Sequence, residues 1–143
     1  MLKSKKEKII WKLTSPFSYA GATVPEKVYV NGKEVKLESI VKEFEKRERE
    51  GNLTSEDVLF GATLSKILEK EVQKIVGKIE NDKIPLEEAE KNLDIWLGIM
   101  RASKLLKKHE ERVDKREIEK NEKVTYVRWA KKFMDMDLFS YRW

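Results

Sequence analysis

The sequence contains no cysteine and a single histidine, His109. Without cysteine there is no disulfide, no thiol nucleophile and no thiolate-bound zinc. One imidazole with no second His or Cys falls short of the ligand set a transition metal normally uses. His109, in "LLKKHEERV", therefore reads as a solvated side chain, and neither a metal nor another cofactor is expected. Long apolar runs are also missing. Nothing approaches the ~18 residues of a bilayer span, so no membrane partner is expected. The basic opening "MLKSKKEKIIWKL" has too short and interrupted an apolar run for a secretory signal, which makes the cytoplasm the expected location. Neither GxxxxGK[ST] nor GxGxxG occurs. "GATVP", at residues 21–25, has one glycine and a proline without an N–H, which suits a structural loop better than a phosphate cradle.

What fills the chain is charge. Charged and hydrophobic residues each make up 40% of the 143 residues, and the hydrophobic ones are patterned rather than scattered, which argues against disorder. Lys/Glu enrichment without cysteine matches proteins from hot habitats. The net charge of +5 is unevenly spread: residues 1–13 hold five lysines and one glutamate, residues 38–90 nine basic and fourteen acidic groups, and residues 101–143 thirteen basic and eight acidic. Either opposite charges pack side by side, or the basic ends form one face for an anionic partner.

Periodicity predicts a mainly α protein. Residues 3–13 form a short helix with Ile9, Ile10 and Leu13 on one side, and Pro16 and Gly21 break the chain after it. Asn31-Gly32 between valine-rich runs is a hairpin signal, because a type I′ turn needs positive φ at both central residues. Pairing across it sets Val28 opposite Val35, with Val28, Val30, Val35 and Leu37 on one face and Tyr29, Lys27, Glu34 and Lys36 on the other. Such a ribbon must lie on something apolar. Residues 38–49 make the next helix, with Ile40, Val41 and Phe44 inward and Gly51 past its end. Thr54 and Asp57 resemble a capping box before Phe60, Leu64, Ile67, Leu68, Val72, Ile75 and Ile79. Pro85 opens another helix, with Leu86, Ala89, Leu93, Trp96, Leu97, Met100 and Leu105 as its stripe. Glu87, Glu88 and Glu90 there suit the positive end of the helix. These two helices should form an antiparallel hairpin. Residues 107–123 are a charged extension or link, and residues 124–138 a last helix with Tyr126, Trp129 and Phe133 on its apolar face. The expected fold is one domain over residues 1–143: about five helices on a long antiparallel helical hairpin, with one β-hairpin at residues 27–37 packed on it.

"GATVPEKVYVNGKEVKLESIVKE", "ILEKEVQKIVGKIENDKIPLEEAEKNLDIWLGIMRA" and "VRWAKKFM" together resemble a small archaeal family with no assigned function. Its members share the GATVP loop, an "IVGI"-type helix and a C-terminal Arg-Trp-x-x-Phe segment. The resemblance implies an archaeal protein and carries no activity with it. The basic balance here departs from the acidic, halophilic members of that family.

No catalytic constellation emerges, so the expected function is non-enzymatic: an interaction or scaffold protein, in one form self-associating. The alternative is weak, sequence-independent binding of RNA, DNA or the ribosome through the basic ends, with Lys5, Lys6, Arg128, Lys131 and Lys132 as the contacts. Basic groups neutralise phosphates, and nearby aromatics such as Trp129 stack on bases.

Overall fold

The computed structural model describes residues 4–15, 18–30 and 32–112. Among these, four helices and a two-stranded antiparallel ribbon occur in the order α1 (Lys5–Thr14), β1 (Val28–Val30), β2 (Lys33–Val35), α2 (Leu37–Arg49), α3 (Ser55–Glu80) and α4 (Leu86–Leu106). A short 3-10 turn, Glu110–Arg112, follows. The protein is thus mainly helical with one β-hairpin, as its periodicity predicts. The expected helix at residues 124–138 lies outside the described residues.

Each helix starts and stops for a local reason. The Ser4 hydroxyl accepts the Glu7 N–H at 3.1 Å and caps α1. At the start of α3 the capping box is complete: Asp57 N–H donates to the Thr54 hydroxyl at 3.1 Å, and Thr54 N–H donates to the Asp57 carboxylate at 3.0 Å. Asp57 is buried, and Arg47 from the end of α2 reaches it at 2.7 Å, so one carboxylate ties two helix ends together. Gly51 terminates α2 at φ +70°, with its N–H on the Glu48 carbonyl and the Asn52 N–H on the Arg47 carbonyl. That pair of bonds is the Schellman pattern. Asp82 ends α3 in the same way at φ 56°, an unusual conformation for a residue with a side chain.

The hairpin has the expected register, Val28 with Val35, Tyr29 with Glu34 and Val30 with Lys33. Val28, Val30, Val35 and Leu37 are buried, whereas Tyr29 is 70% exposed. The strands run Val28–Val30 and Lys33–Val35, shorter than the expected 27–37, because α2 already begins at Leu37. The apolar face of the ribbon joins Ile9 and Leu13 of α1, Ile40, Val41 and Phe44 of α2, and Phe60, Leu64, Leu68 and Val72 of α3 in one core. α3 and α4 form the expected antiparallel pair, with α1 laid against both.

The predicted stripe of α4 packs on the core through Ala89, Leu93, Trp96, Leu97, Met100 and Leu105, but the contact face is broader and deepest elsewhere. Of the predicted stripe only Ala89 is fully buried; the deepest positions in the second half of the helix are Gly98, Ile99, Ala102, Ser103 and Leu106. Close packing explains the deepest positions, since small residues let backbones approach where larger ones hold them apart. At Gly61 a Cβ would overlap the Leu106 carbonyl oxygen, and at Gly98 it would overlap the Thr23 carbonyl oxygen. Gly98 is therefore the seat of the GATVP loop, which Arg101 also holds through the Ala22 carbonyl at 2.7 Å.

Candidate functional site

Between α3 and α4 runs a short polar seam in an otherwise apolar contact. Ser65 and Ser103 are both buried, and their hydroxyls hydrogen-bond at 2.7 Å. The Ser103 hydroxyl also lies 3.2 Å from the Glu69 carboxylate, so a chain of donation from Ser65 through Ser103 satisfies all three groups. The same Glu69 oxygen accepts from Lys107 at 2.7 Å and has Lys104 at 3.6 Å. Helical spacing explains the convergence: Lys104 in the last turn of α4 and Lys107 at its C-cap are three residues apart, and Ser103 is beside them.

This cluster forms one end of a groove of about 360 Å³. Leu13 and Thr14 of α1, Val72, Gln73 and Val76 of α3, and Met100 of α4 complete its lining. The volume lies within the ~300–1,000 Å³ of ordinary ligand pockets, and the pattern of apolar walls with a few convergent polar groups is the usual one.

The charges in the cluster respond to one another. Burial pushes the Glu69 carboxyl up, but the hydrogen bond and charge of Lys107, helped by Lys104 and Ser103, outweigh it and hold the group below its ordinary value. Burial also works against the charge of Lys107, yet its bond to Glu69 and the Glu69 charge hold it above the usual lysine value. Lys104 moves the other way. The neighbouring Lys107 amine and then burial lower it, and Glu69 only partly offsets them. Two lysines against one glutamate leave the end of the groove cationic.

The residues expected to contact nucleic acid are differently placed. Lys6 donates to the Glu80 carbonyl at 3.0 Å and to Asp82 at 2.9 Å, so it holds the C-terminal end of α3, where a cation is favourable. Lys5 lies 3.7 Å from Glu90 in an exposed pair. Arg128, Lys131 and Lys132 lie outside the described residues. His109 is not the freely solvated side chain expected: it is half-buried, with Nε2 2.6 Å from Glu48. That bond, reinforced by Lys108 at 3.4 Å, ties the chain after α4 to the end of α2. Among the described residues no three His, Cys, Asp or Glu side chains are placed to hold a metal, and no helix is long and apolar enough to cross a membrane.

Fold and groove together define a class: a mainly helical protein built on a long antiparallel helical pair, carrying a two-stranded ribbon and an amphipathic groove. The chain belongs to the family of unknown function DUF5788, whose model matches residues 1–135. No curated protein and no solved structure matches it significantly. Two stretches that carry the resemblance, the GATVP loop and the helix around Gly98, are in contact with each other.

Proposed function

We propose that the protein works by binding a protein partner rather than by catalysis, and that the groove between α1, α3 and α4 takes that partner. The observation that carries this reading is the open apolar trough of Leu13, Val72, Val76 and Met100, closed at one end by Lys104, Lys107 and Glu69. A partner segment with an apolar side chain beside a carboxylate suits both parts. The side chain gains ~25 cal/mol per Å² of apolar surface buried. The carboxylate meets a cationic end already partly shielded from water, where an ion pair counts for more than on an open surface. Binding hot spots are commonly concentrated in small pockets of this kind. The composition and the GATVP resemblance support a cytoplasmic setting in an archaeon from a hot habitat. Phosphate binding by the basic ends is the weaker reading, because Lys5 and Lys6 already face carboxylates.

Selection from a random peptide library displayed on phage tests the proposal. Enriched peptides should carry Asp or Glu next to a large apolar residue, and should lose affinity at least tenfold for Lys104→Glu. Enrichment of peptides without an acidic residue, equal binding to Lys104→Glu, or no enrichment would each contradict it. Sedimentation of the unliganded protein separates self-association from binding to a different protein.

A further inference from the structure

Lys104 combines three features that rarely meet in a surface lysine. Its side chain is about one-third exposed (32%), so the amine is accessible without being fully solvated. It opens onto the apolar groove walls of Leu13, Val72, Val76 and Met100. Its neighbour is a second ammonium, Lys107, anchored by Glu69 at 2.7 Å. We propose that Lys104 is a nucleophilic amine that condenses with small apolar aldehydes bound in the groove. This goes beyond partner binding and does not rest on it.

The surroundings divide the labour between the two lysines. The fixed charge of Lys107 and partial burial raise the share of Lys104 in the neutral form, which alone carries the nucleophilic lone pair. Each unit by which an amine's pKa falls raises its free-base fraction about tenfold while the amine is mostly protonated. Among the described residues Glu69 is the only carboxylate lining the groove, and its shorter lysine contact is to Lys107 rather than to Lys104. The remaining lining residues, Thr14 and Gln73 included, bring no charge. Lys107, held protonated by Glu69, is placed to act as the acid.

The step balances without a further reagent. The Lys104 Nζ lone pair attacks the carbonyl carbon, and the carbonyl π pair moves to oxygen, which takes a proton from Lys107. The attacking nitrogen returns a proton to Lys107, leaving the carbinolamine. A second protonation from Lys107 lets the hydroxyl depart as water while the nitrogen lone pair closes the C=N bond. The N–H proton then restores Lys107. Amine and aldehyde give imine and water.

The full chain treated with hexanal and cyanoborohydride near neutral pH, digested and mapped by mass spectrometry, tests this. Lys104 should be alkylated several-fold faster than the exposed Lys70, with a rate profile that rises at lower pH than that of Lys70. Formaldehyde, which has no apolar tail, should discriminate less between them. Lys107→Met, checked for folding by circular dichroism, should bring Lys104 down to the rate of Lys70. Labelling of Lys104 no faster than Lys70, or coincident pH profiles for the two in the unmodified sequence, would overturn the proposal. So would an undiminished Lys104 rate in folded Lys107→Met.

Discussion

Replacing Gly98 by alanine should destabilise the protein, although the same change inside a helix normally does the reverse. In an unobstructed helix interior Gly→Ala gains up to ~1 kcal/mol, because alanine loses less backbone freedom on folding. At Gly98 the added methyl would overlap the Thr23 carbonyl oxygen and lie 2.9 Å from Pro25 Cδ. Thr23 offers backbone rather than a side chain that can swing away, so relief means lifting the GATVP loop off α4. That movement also strains the bond from Arg101 to the Ala22 carbonyl. Overpacking of this kind costs ~1–3 kcal/mol, which exceeds the propensity gain over most of its range. Gly77 provides the control within the same protein: it is helical, and a Cβ there would meet no atom within 4 Å. Gly77→Ala should stabilise by up to ~1 kcal/mol. For a chain of this length each kcal/mol moves Tm by roughly 3–5 °C. Thermal melts followed by circular dichroism should therefore show Gly98→Ala below the unsubstituted protein and Gly77→Ala above it. If both variants melt higher, the loop does not rest on Gly98 and the packing argument fails.

Two further outcomes follow from burial and charge. Val28→Asp places a carboxylate on the inner face of the hairpin and should cost several kcal/mol, on the order of the ~2–7 kcal/mol for an unsatisfied buried polar group, whereas Tyr29→Asp on the outer face should melt within a few degrees of the starting protein. Equal melting temperatures for the two would show that the ribbon is not packed as described. The Glu48 carboxyl is held below its ordinary value of 4.5, first by the hydrogen bond from His109 and then by Lys108, against the opposing effect of burial. A depressed carboxylate contributes stability that is fully present above about pH 4.5 and is lost as pH falls through the folded value. The Tm difference between the protein and Glu48→Gln should thus be open near pH 7 and close progressively as the solution is acidified below pH 4.5. A difference that stays constant over that range would refute the assignment.

The hairpin was readable because its information is local. Asn31-Gly32 marks the turn, and the two-residue period of Val28, Val30 and Val35 sets both register and buried face. The capping box of Thr54 and Asp57 and the stop at Gly51 were readable for the same reason. The deepest part of the α4 contact face was not. Its closest approaches use Gly98, Ala102 and Ser103, whose value lies in having little side chain, and a search for large apolar residues passes over them. The groove was hidden more deeply still. In a chain that is 40% charged, Glu69, Lys104 and Lys107 look like any other solvated groups until two helices bring them together. One signal was available: aligning residues 55–80 antiparallel to residues 86–106 from the connecting loop brings Ser65 within a turn of Ser103, a pair of small polar residues four positions from Glu69 and Lys107. The restricted exposure of His109 is invisible in "LLKKHEERV" because its partner, Glu48, is sixty-one residues away in sequence.

Methyl-detected NMR of the full chain, titrated with an acidic-apolar peptide recovered from the phage selection, tests the central claim most directly. Binding in the groove should shift the methyl signals of Leu13, Val72, Val76 and Met100, which approach it from three different helices. The signals of Val28 and Val35 in the hairpin and Ile40 in α2 should stay in place, and Lys104→Glu should abolish the shifts while leaving the rest of the spectrum unchanged. Saturating peptide that moves the hairpin or α2 signals and leaves those four methyls unmoved would contradict the account.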